Sequence, residues 1–171
     1  MAVTRISQVA AWLAEDVGDG DLTTERVIPA DATCEAAILV KEHGVVCGLG
    51  LMEELFGELD DGVRFETLAA DGDMVEGRVA VLSGPARPIL TGERTALNFL
   101  QRLSGVSSLT REYTRKVEGL KCELLDTRKT TPGWRFLEKY AVLKGRGTNH
   151  RMGLYDGVLI KDNHLAALGP T

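Results

Sequence analysis

Two apolar runs in the last third of this 171-residue chain each stop at a cluster of charged side chains. The first reads Cys122-Glu-Leu-Leu-Asp-Thr-Arg-Lys-Thr-Thr-Pro-Gly133, and the second Asp156-Gly-Val-Leu-Ile-Lys-Asp-Asn-His164. Between them lies Gly145-Arg-Gly-Thr-Asn-His-Arg151. Arginine grips carboxylate or phosphate with a planar fork of donors, and lysine supplies a compact point charge. If Arg94, Arg128, Lys129, Arg151 and Lys161 converge on one pocket, five positive charges meet there, an arrangement that calls for a multiply charged anion. His150 stands between Asn149 and Arg151, after two glycines that permit close backbone approach. A neutral imidazole there can donate one hydrogen bond to such a ligand. A hydrogen-bonded structural role is the competing reading for His150; His164 is read as a structural residue capping the helix that starts there, and His43, beside Gly44 in a hairpin turn, as a surface residue. No two histidines have metal-ligand spacing, and no nucleophile elbow or phosphate-binding loop motif occurs.

These clusters need elements to carry them. Apolar runs separated by a helical stretch predict parallel strands, and parallel α/β sheets collect ligands at the carboxyl ends of their strands. Strands are expected at 122–126 and 157–161 with a helix over 134–143 between them; the sequence leaves room for a third strand near 141–145. On this reasoning Arg128, Lys129 and Lys161 are placed at a site. Arg102, Arg111, Arg115, Lys116, Arg135 and Lys139, on helical stretches, are assigned to solvated faces. The long helical pattern from Thr91, read as an N-cap, to about Val117 is interrupted or kinked at Gly105. Upstream, residues 5–17 show helical spacing at Ile6, Val9, Leu13 and Val17, and Leu49–Leu59 reads as an amphipathic helix. Strands are read at 33–41 and 44–48 around a turn holding His43, and at 63–69 and 78–83 around Asp71-Gly-Asp73. Asp16, Asp19 and Asp21 lack the closing glutamate of a calcium loop and read as turn and cap residues. Residues 1–90 are therefore α+β, and residues from Cys122 open a βα-repeated unit.

Net charge is −5, but residues 1–93 carry 18 acids and 6 bases while residues 94–161 carry 14 bases and 6 acids. The second segment faces anions within a chain that stays acidic overall. Few aromatics accompany the basic residues, which disfavours a nucleic-acid surface. No apolar run reaches the roughly 18 residues a membrane helix needs. Cys34, Cys47 and Cys122 are widely spaced, which suits a reducing cytoplasm and predicts three buried small hydrophobes. The βα series stops at Thr171, whereas a closed (β/α) barrel takes roughly 200 residues or more. A piece of a longer fold, or one completed from elsewhere, is expected.

Several motifs together resemble the quinolinate phosphoribosyltransferase family, whose enzymes are also called carboxylating nicotinate-nucleotide pyrophosphorylases. They are Glu15-Asp16 with Gly20-Asp-Leu-Thr-Thr24, Glu93-Arg-Thr-Ala-Leu-Asn-Phe99, Gln101-Arg-Leu-Ser-Gly-Val-Ser107, Leu125-Asp-Thr-Arg-Lys-Thr-Thr-Pro-Gly133, Lys139-Tyr-Ala-Val142, Gly147-Thr-Asn-His-Arg151, Gly153-Leu-Tyr-Asp156 and Leu159-Ile-Lys-Asp-Asn-His164. They run through the whole chain in the family's order. Arg146, in Lys144-Gly-Arg-Gly147, stands where the family more often has glycine.

The resemblance implies an N-terminal α+β sandwich domain followed by the first βα units of an incomplete α/β barrel, divided at 1–110 and 111–171. It implies transfer of phosphoribose from phosphoribosyl pyrophosphate to quinolinate with loss of CO2, dependent on Mg2+, in NAD biosynthesis. It implies a homodimer in which Arg94 reaches the partner's quinolinate, with Arg128, His150, Arg151 and Lys161 around the carboxylates and Lys129 on the sugar-phosphate side. Lys129 and Lys161 are the catalytic candidates, and no metal ligand falls within these residues. The alternative is a non-catalytic module that dimerises or binds dicarboxylates. A relative acting on nicotinate, and a nucleic-acid binder, are weaker readings.

Overall fold

The computed structural model describes residues 2–169, with side chains described from residue 8 onward. Helix α1 (Ala2–Val17) buries Val9 and Leu13, as its spacing predicts, while Ile6 lies outside the described side chains. Helix α2 (Leu22–Val27) starts at Asp21, whose Oδ1 accepts the Thr24 backbone N–H at 3.0 Å. Its other oxygen accepts the Thr91 hydroxyl at 3.1 Å, so this carboxylate caps a helix and ties it to the next layer.

Strands β1 (Thr33–Val45), β2 (Arg64–Thr67) and β3 (Met74–Pro85) form one antiparallel sheet in the order β1-β3-β2. Cys34, Ala36, Ile38 and Val40 alternate inward along β1, as period-2 burial requires. The two strands expected at 33–41 and 44–48 are instead one bulged strand. From Val40↔Gly77 to Gly44↔Val75, β1 advances four residues while β3 advances two. Lys41, Glu42 and His43 are therefore extruded to solvent without a chain reversal. Gly77, at φ +99°, supplies the left-handed backbone opposite the bulge.

Helix α3 (Leu49–Leu59) and helix α4 (Ala86–Lys116) cover one face of the sheet. Their contact core joins Met52, Leu55 and Phe56 to Ile38, Ala80 and Leu82, and to Ile89, Phe99 and Leu103 of α4. At its 1.5 Å rise per residue, 31-residue α4 is roughly 46 Å long and reaches well beyond the sheet. It begins five residues before Thr91, which therefore lies inside the helix rather than capping it. Nor does Gly105 break it: the residue faces solvent, where a missing side chain leaves the hydrogen-bond ladder intact.

The second half of α4 carries helix α5 (Arg135–Lys144), tied by the Ser107 hydroxyl donating to Ala141 O at 2.8 Å. Downstream the sequence reading needs correction. Residues 122–126 make a single parallel bridge, Leu125↔Thr148, and residues 141–144 are helical. Residues 157–161 form no strand, with Val158 94 % and Ile160 66 % exposed. An apolar run becomes a strand only where a neighbouring strand takes its N–H and C=O groups; among the described residues Thr148 alone does so for 122–126, and no segment does so for 157–161. A short helix, α6 (Asp162–Leu168), follows, with His164 Nδ1 accepting the Lys161 N–H at 3.0 Å.

Of the cysteines, Cys47 is buried, Cys34 half-buried and Cys122 exposed, so the expectation of three buried thiols holds in full only at Cys47 and fails outright at Cys122, in the uncovered stretch before the bridge. Burial pushes the Cys47 thiol up to about 11. No described helix is long and apolar enough to cross a membrane.

Candidate functional site

Asp126 organises the region where the two cationic clusters meet. Its run brings it alongside residues 148–150 through the parallel bridge: the Thr148 N–H donates to Leu124 O at 2.9 Å, and the Asp126 N–H to Thr148 O at 3.1 Å. Asp126 Oδ1 then takes the Lys139 ammonium and, at 2.8 Å, the His150 N–H. Lys139 also donates to His150 O at 2.9 Å. The Asn149 amide, turned as its neighbours require, donates to Asp126 Oδ2 at 2.8 Å and Lys139 O at 3.0 Å. The Lys139 and Asp126 side chains are 1 % and 6 % exposed. A charge pair that dry persists because both carboxylate oxygens accept hydrogen bonds and the ammonium donates to both Asp126 and His150 O.

Arg128 follows Asp126 by two residues and Arg151 follows His150 directly, so this one carboxylate joins the two loops that carry both arginines. Among the described residues, Arg128 Nε and Arg151 Nε are buried without a hydrogen-bond partner. Arg151 donates through its other nitrogen to Gly157 O at 2.7 Å. The loop beyond it is fixed by Asp156, which accepts the Gly153 and Met152 N–H groups at 2.9 and 2.7 Å. Those two bonds hold the Asp156 carboxyl below the usual carboxylate range. Lys129 sits in a turn closed by its N–H donating to Thr127 Oγ1 at 3.0 Å, with its side chain exposed. Arg94 is exposed on α4, and Lys161 is exposed at the start of α6. The described contacts thus bring Asp126, two residues before Arg128, against the loop of His150 and Arg151, while among the described residues Arg128, Arg94, Lys129 and Lys161 share no hydrogen bond with that loop.

Three residues assigned to solvated faces are structural anchors. Lys139 is the most deeply buried cation of the site. Arg111, 8 % exposed, donates to Gly145 O, Gly72 O and Lys144 O and so closes the carboxyl end of α5. Arg135 holds Thr130 Oγ1 at 3.1 Å and Met152 O at 3.2 Å, linking the same two loops from α5. Arg102, Arg115 and Lys116 are exposed as expected, although Arg102 pairs with Glu138 at 2.9 Å. One signal for Lys139 was legible: Asp126 closes an apolar run, and a carboxylate drawn inward there needs a cation.

Glu138 binds the loop as well, accepting the Thr131 hydroxyl at 2.8 Å and its N–H at 3.1 Å. Desolvation raises its pKa, but Arg102 and the two Thr131 bonds outweigh that and leave it below the ordinary glutamate value of 4.5. A carboxylate with a depressed folded pKa contributes stability that is present above pH 4.5 and lost as pH falls through the folded value. Glu138→Gln is expected to flatten the acid side of the stability curve below that pH, read by urea unfolding across pH 3–6 (a span of about three units).

Arg146 adopts φ +67°, alone among the described non-glycine residues in the left-handed region. Its charge also lowers the Arg111 pKa, after the larger effect of burial. Arg146→Gly should raise stability by about 1 kcal/mol, because left-handed backbone costs roughly 1–2 kcal/mol with a Cβ and part of the gain is returned as unfolded-state entropy. The melting temperature measures this directly. Arg146 also lines a cleft of about 450 Å3 with Arg115, Glu118, Cys122 and Thr148, which none of Arg94, Arg128, Lys129, His150, Arg151 and Lys161 borders.

Family models for the quinolinate phosphoribosyl transferase N-terminal and C-terminal domains match residues 21–104 and 106–171. The chain is 50 % identical over 160 residues to the probable nicotinate-nucleotide pyrophosphorylase [carboxylating] of Bacillus subtilis (strain 168), covering 92 % of this chain and 55 % of that protein. It is 45 % identical to quinolinate phosphoribosyltransferase [decarboxylating] 1b of Nicotiana tabacum, covering 92 % of this chain and 45 % of the relative. The fold superposes on NadC from Streptococcus pyogenes with a TM-score of 0.93 at 38 % identity, over 99 % of this chain and 61 % of that one. The chain spans about half the length of the curated relatives it matches. With both domain models aligned in order along it, the chain belongs to the quinolinate phosphoribosyl transferase family.

Proposed function

We propose that this chain supplies the quinolinate-holding part of an enzyme that joins quinolinate to phosphoribosyl pyrophosphate, forming nicotinate mononucleotide, pyrophosphate and CO2 for NAD biosynthesis in the cytoplasm. The observation that carries the reading is the pair of buried, unpartnered Nε–H groups on Arg128 and Arg151, on loops joined by Asp126. A buried donor on a charged group is costly to leave unmade, and the two adjacent carboxylates of quinolinate offer acceptors for both. His150 and Lys161 complete the carboxylate contacts, and Lys129 faces the sugar phosphate. Arg94 enters the partner's site in a homodimer, and residues 111–171 open the barrel that follows the N-terminal α+β domain of residues 1–110.

In this reading the pyridine nitrogen attacks the anomeric carbon and the C–O bond to pyrophosphate breaks, leaving a pyridinium. The bond from ring C2 to its carboxylate then breaks, CO2 departs, and the electron pair left on carbon, stabilised by the adjacent positive nitrogen, takes a proton. The arginines, histidine and lysines orient the ring and offset negative charge; none forms a covalent bond. Magnesium is expected with phosphoribosyl pyrophosphate. No group of three or more His, Cys, Asp and Glu able to hold a metal lies among the described residues, so no step here runs through the ion.

The test is calorimetric titration with quinolinate against nicotinate, paired with CO2 release dependent on both quinolinate and phosphoribosyl pyrophosphate. Binding that requires both ring carboxylates supports the proposal. A folded protein that binds the two acids equally or neither sinks it.

A further inference from the structure

His150 is clamped from both sides of its own residue. Its N–H rests on Asp126 Oδ1 at 2.8 Å and its carbonyl accepts the Lys139 ammonium at 2.9 Å, while Lys139 closes the loop back onto Asp126. Asn149, one residue earlier, bonds the far oxygen of Asp126 and the Lys139 carbonyl. The peptide groups flanking His150 are thereby fixed to α5, and so is the direction in which His150 and Arg151 leave the backbone. Asp126 is also two residues from Arg128, so the same pair sets the second loop.

A buried ion pair is a poor source of stability, since apolar side chains of similar volume usually serve the fold as well or better. Here both members are almost dry, and their remaining bonds all go to the His150 loop. We propose that Lys139 and Asp126 are positioning residues: a buried clasp that holds His150, Arg151 and Arg128 in the geometry that receives the dicarboxylate, without touching it. The proposal rests on the reading of those three residues as the dicarboxylate pocket.

Two readouts separate the clasp from that reading. The first is hydrogen exchange of the His150 amide in the ligand-free protein, followed by NMR; it does not involve the dicarboxylate. The second is the affinity for quinolinate. In Asp126→Leu/Lys139→Met the clasp becomes an apolar pair of similar volume and the fold is retained. The His150 amide should then exchange at least about 100-fold faster as its protecting bond is lost, and quinolinate should bind at least about 10-fold more weakly. A merely structural pair would shift the melting temperature and leave these two quantities alone.

A folded double variant with wild-type exchange and wild-type affinity overturns the proposal. If the wild-type protein binds no quinolinate, the functional reading fails, and exchange of the His150 amide still decides whether the clasp exists. If the double variant does not fold, Asn149→Ala removes one arm from the surface side. It should speed His150 exchange and weaken quinolinate about 5-fold, since one hydrogen bond contributes of that order. An Asn149→Ala protein unchanged in both measures also overturns the proposal.

Discussion

Lys139→Met alone is expected to destabilise the protein by about 3–5 kcal/mol, the cost of leaving a buried carboxylate without its partner. Asp126 remains 6 % exposed beneath residues 148–150, with only the His150 N–H and the Asn149 amide to offset its charge. In a chain of this size each kcal/mol moves the melting temperature by roughly 2–4 °C, so a drop of about 10 °C follows. Asp126→Leu/Lys139→Met removes both charges and should return to within about 1 kcal/mol of wild type. Urea unfolding of both variants measures the difference. Equal losses in single and double variants would mean that packing, not charge, holds this site together. That outcome would place the Lys139 methylenes, rather than its ammonium, against Asp126 and His150.

Removing either arginine of the pocket should have opposite effects on folding and on ligand binding. Arg128→Ala and Arg151→Ala each delete a guanidinium whose buried Nε has no protein partner. Charge-assisted hydrogen bonds contribute roughly 1.5–3 kcal/mol each, so quinolinate affinity should fall by about 10- to 150-fold in either variant. The folded chain, relieved of an unmade bond, should hold its stability or gain up to about 1 kcal/mol. Arg128 is the cleaner case, because Arg151→Ala also loses the 2.7 Å bond to Gly157 O. Lysine should not rescue either position, since its ammonium cannot present the planar fork that two adjacent carboxylates accept. Calorimetry with quinolinate and melting curves on the same samples give both signs. A variant that loses stability and keeps its affinity would show that the arginine braces the loop rather than the ligand.

Much of the architecture was legible because it is local. The 3.6-residue spacing of Val9 and Leu13, the apolar face of α3 and the alternation of Cys34, Ala36, Ile38 and Val40 each follow from one short stretch of sequence. The bulge at Lys41–His43 was misread as a turn. A chain reversal and an extruded three-residue bulge share the same polar signature, and only the pairing with Gly77 and Val75 on β3 separates them. The strands expected at 122–126 and 157–161 depend on neighbours elsewhere in space, and among the described residues the first run makes one bridge, Leu125 to Thr148, and the second makes none.

By itself the sequence determined the family and the cationic character of residues 94–161, since residue types and motif order need no fold to be read. Only the tertiary structure decided which charges face solvent and which are internal. Arg102, Arg111, Arg135 and Lys139 read alike on helical stretches, yet Arg102 lies on the surface while Lys139 is buried. Arg111 closes the end of α5, and Arg135 bridges the two loops. The physical reason is that desolvation of a charge depends on everything that packs around it, and those neighbours, from Gly72 to Met152, are brought together only when α4 and α5 dock.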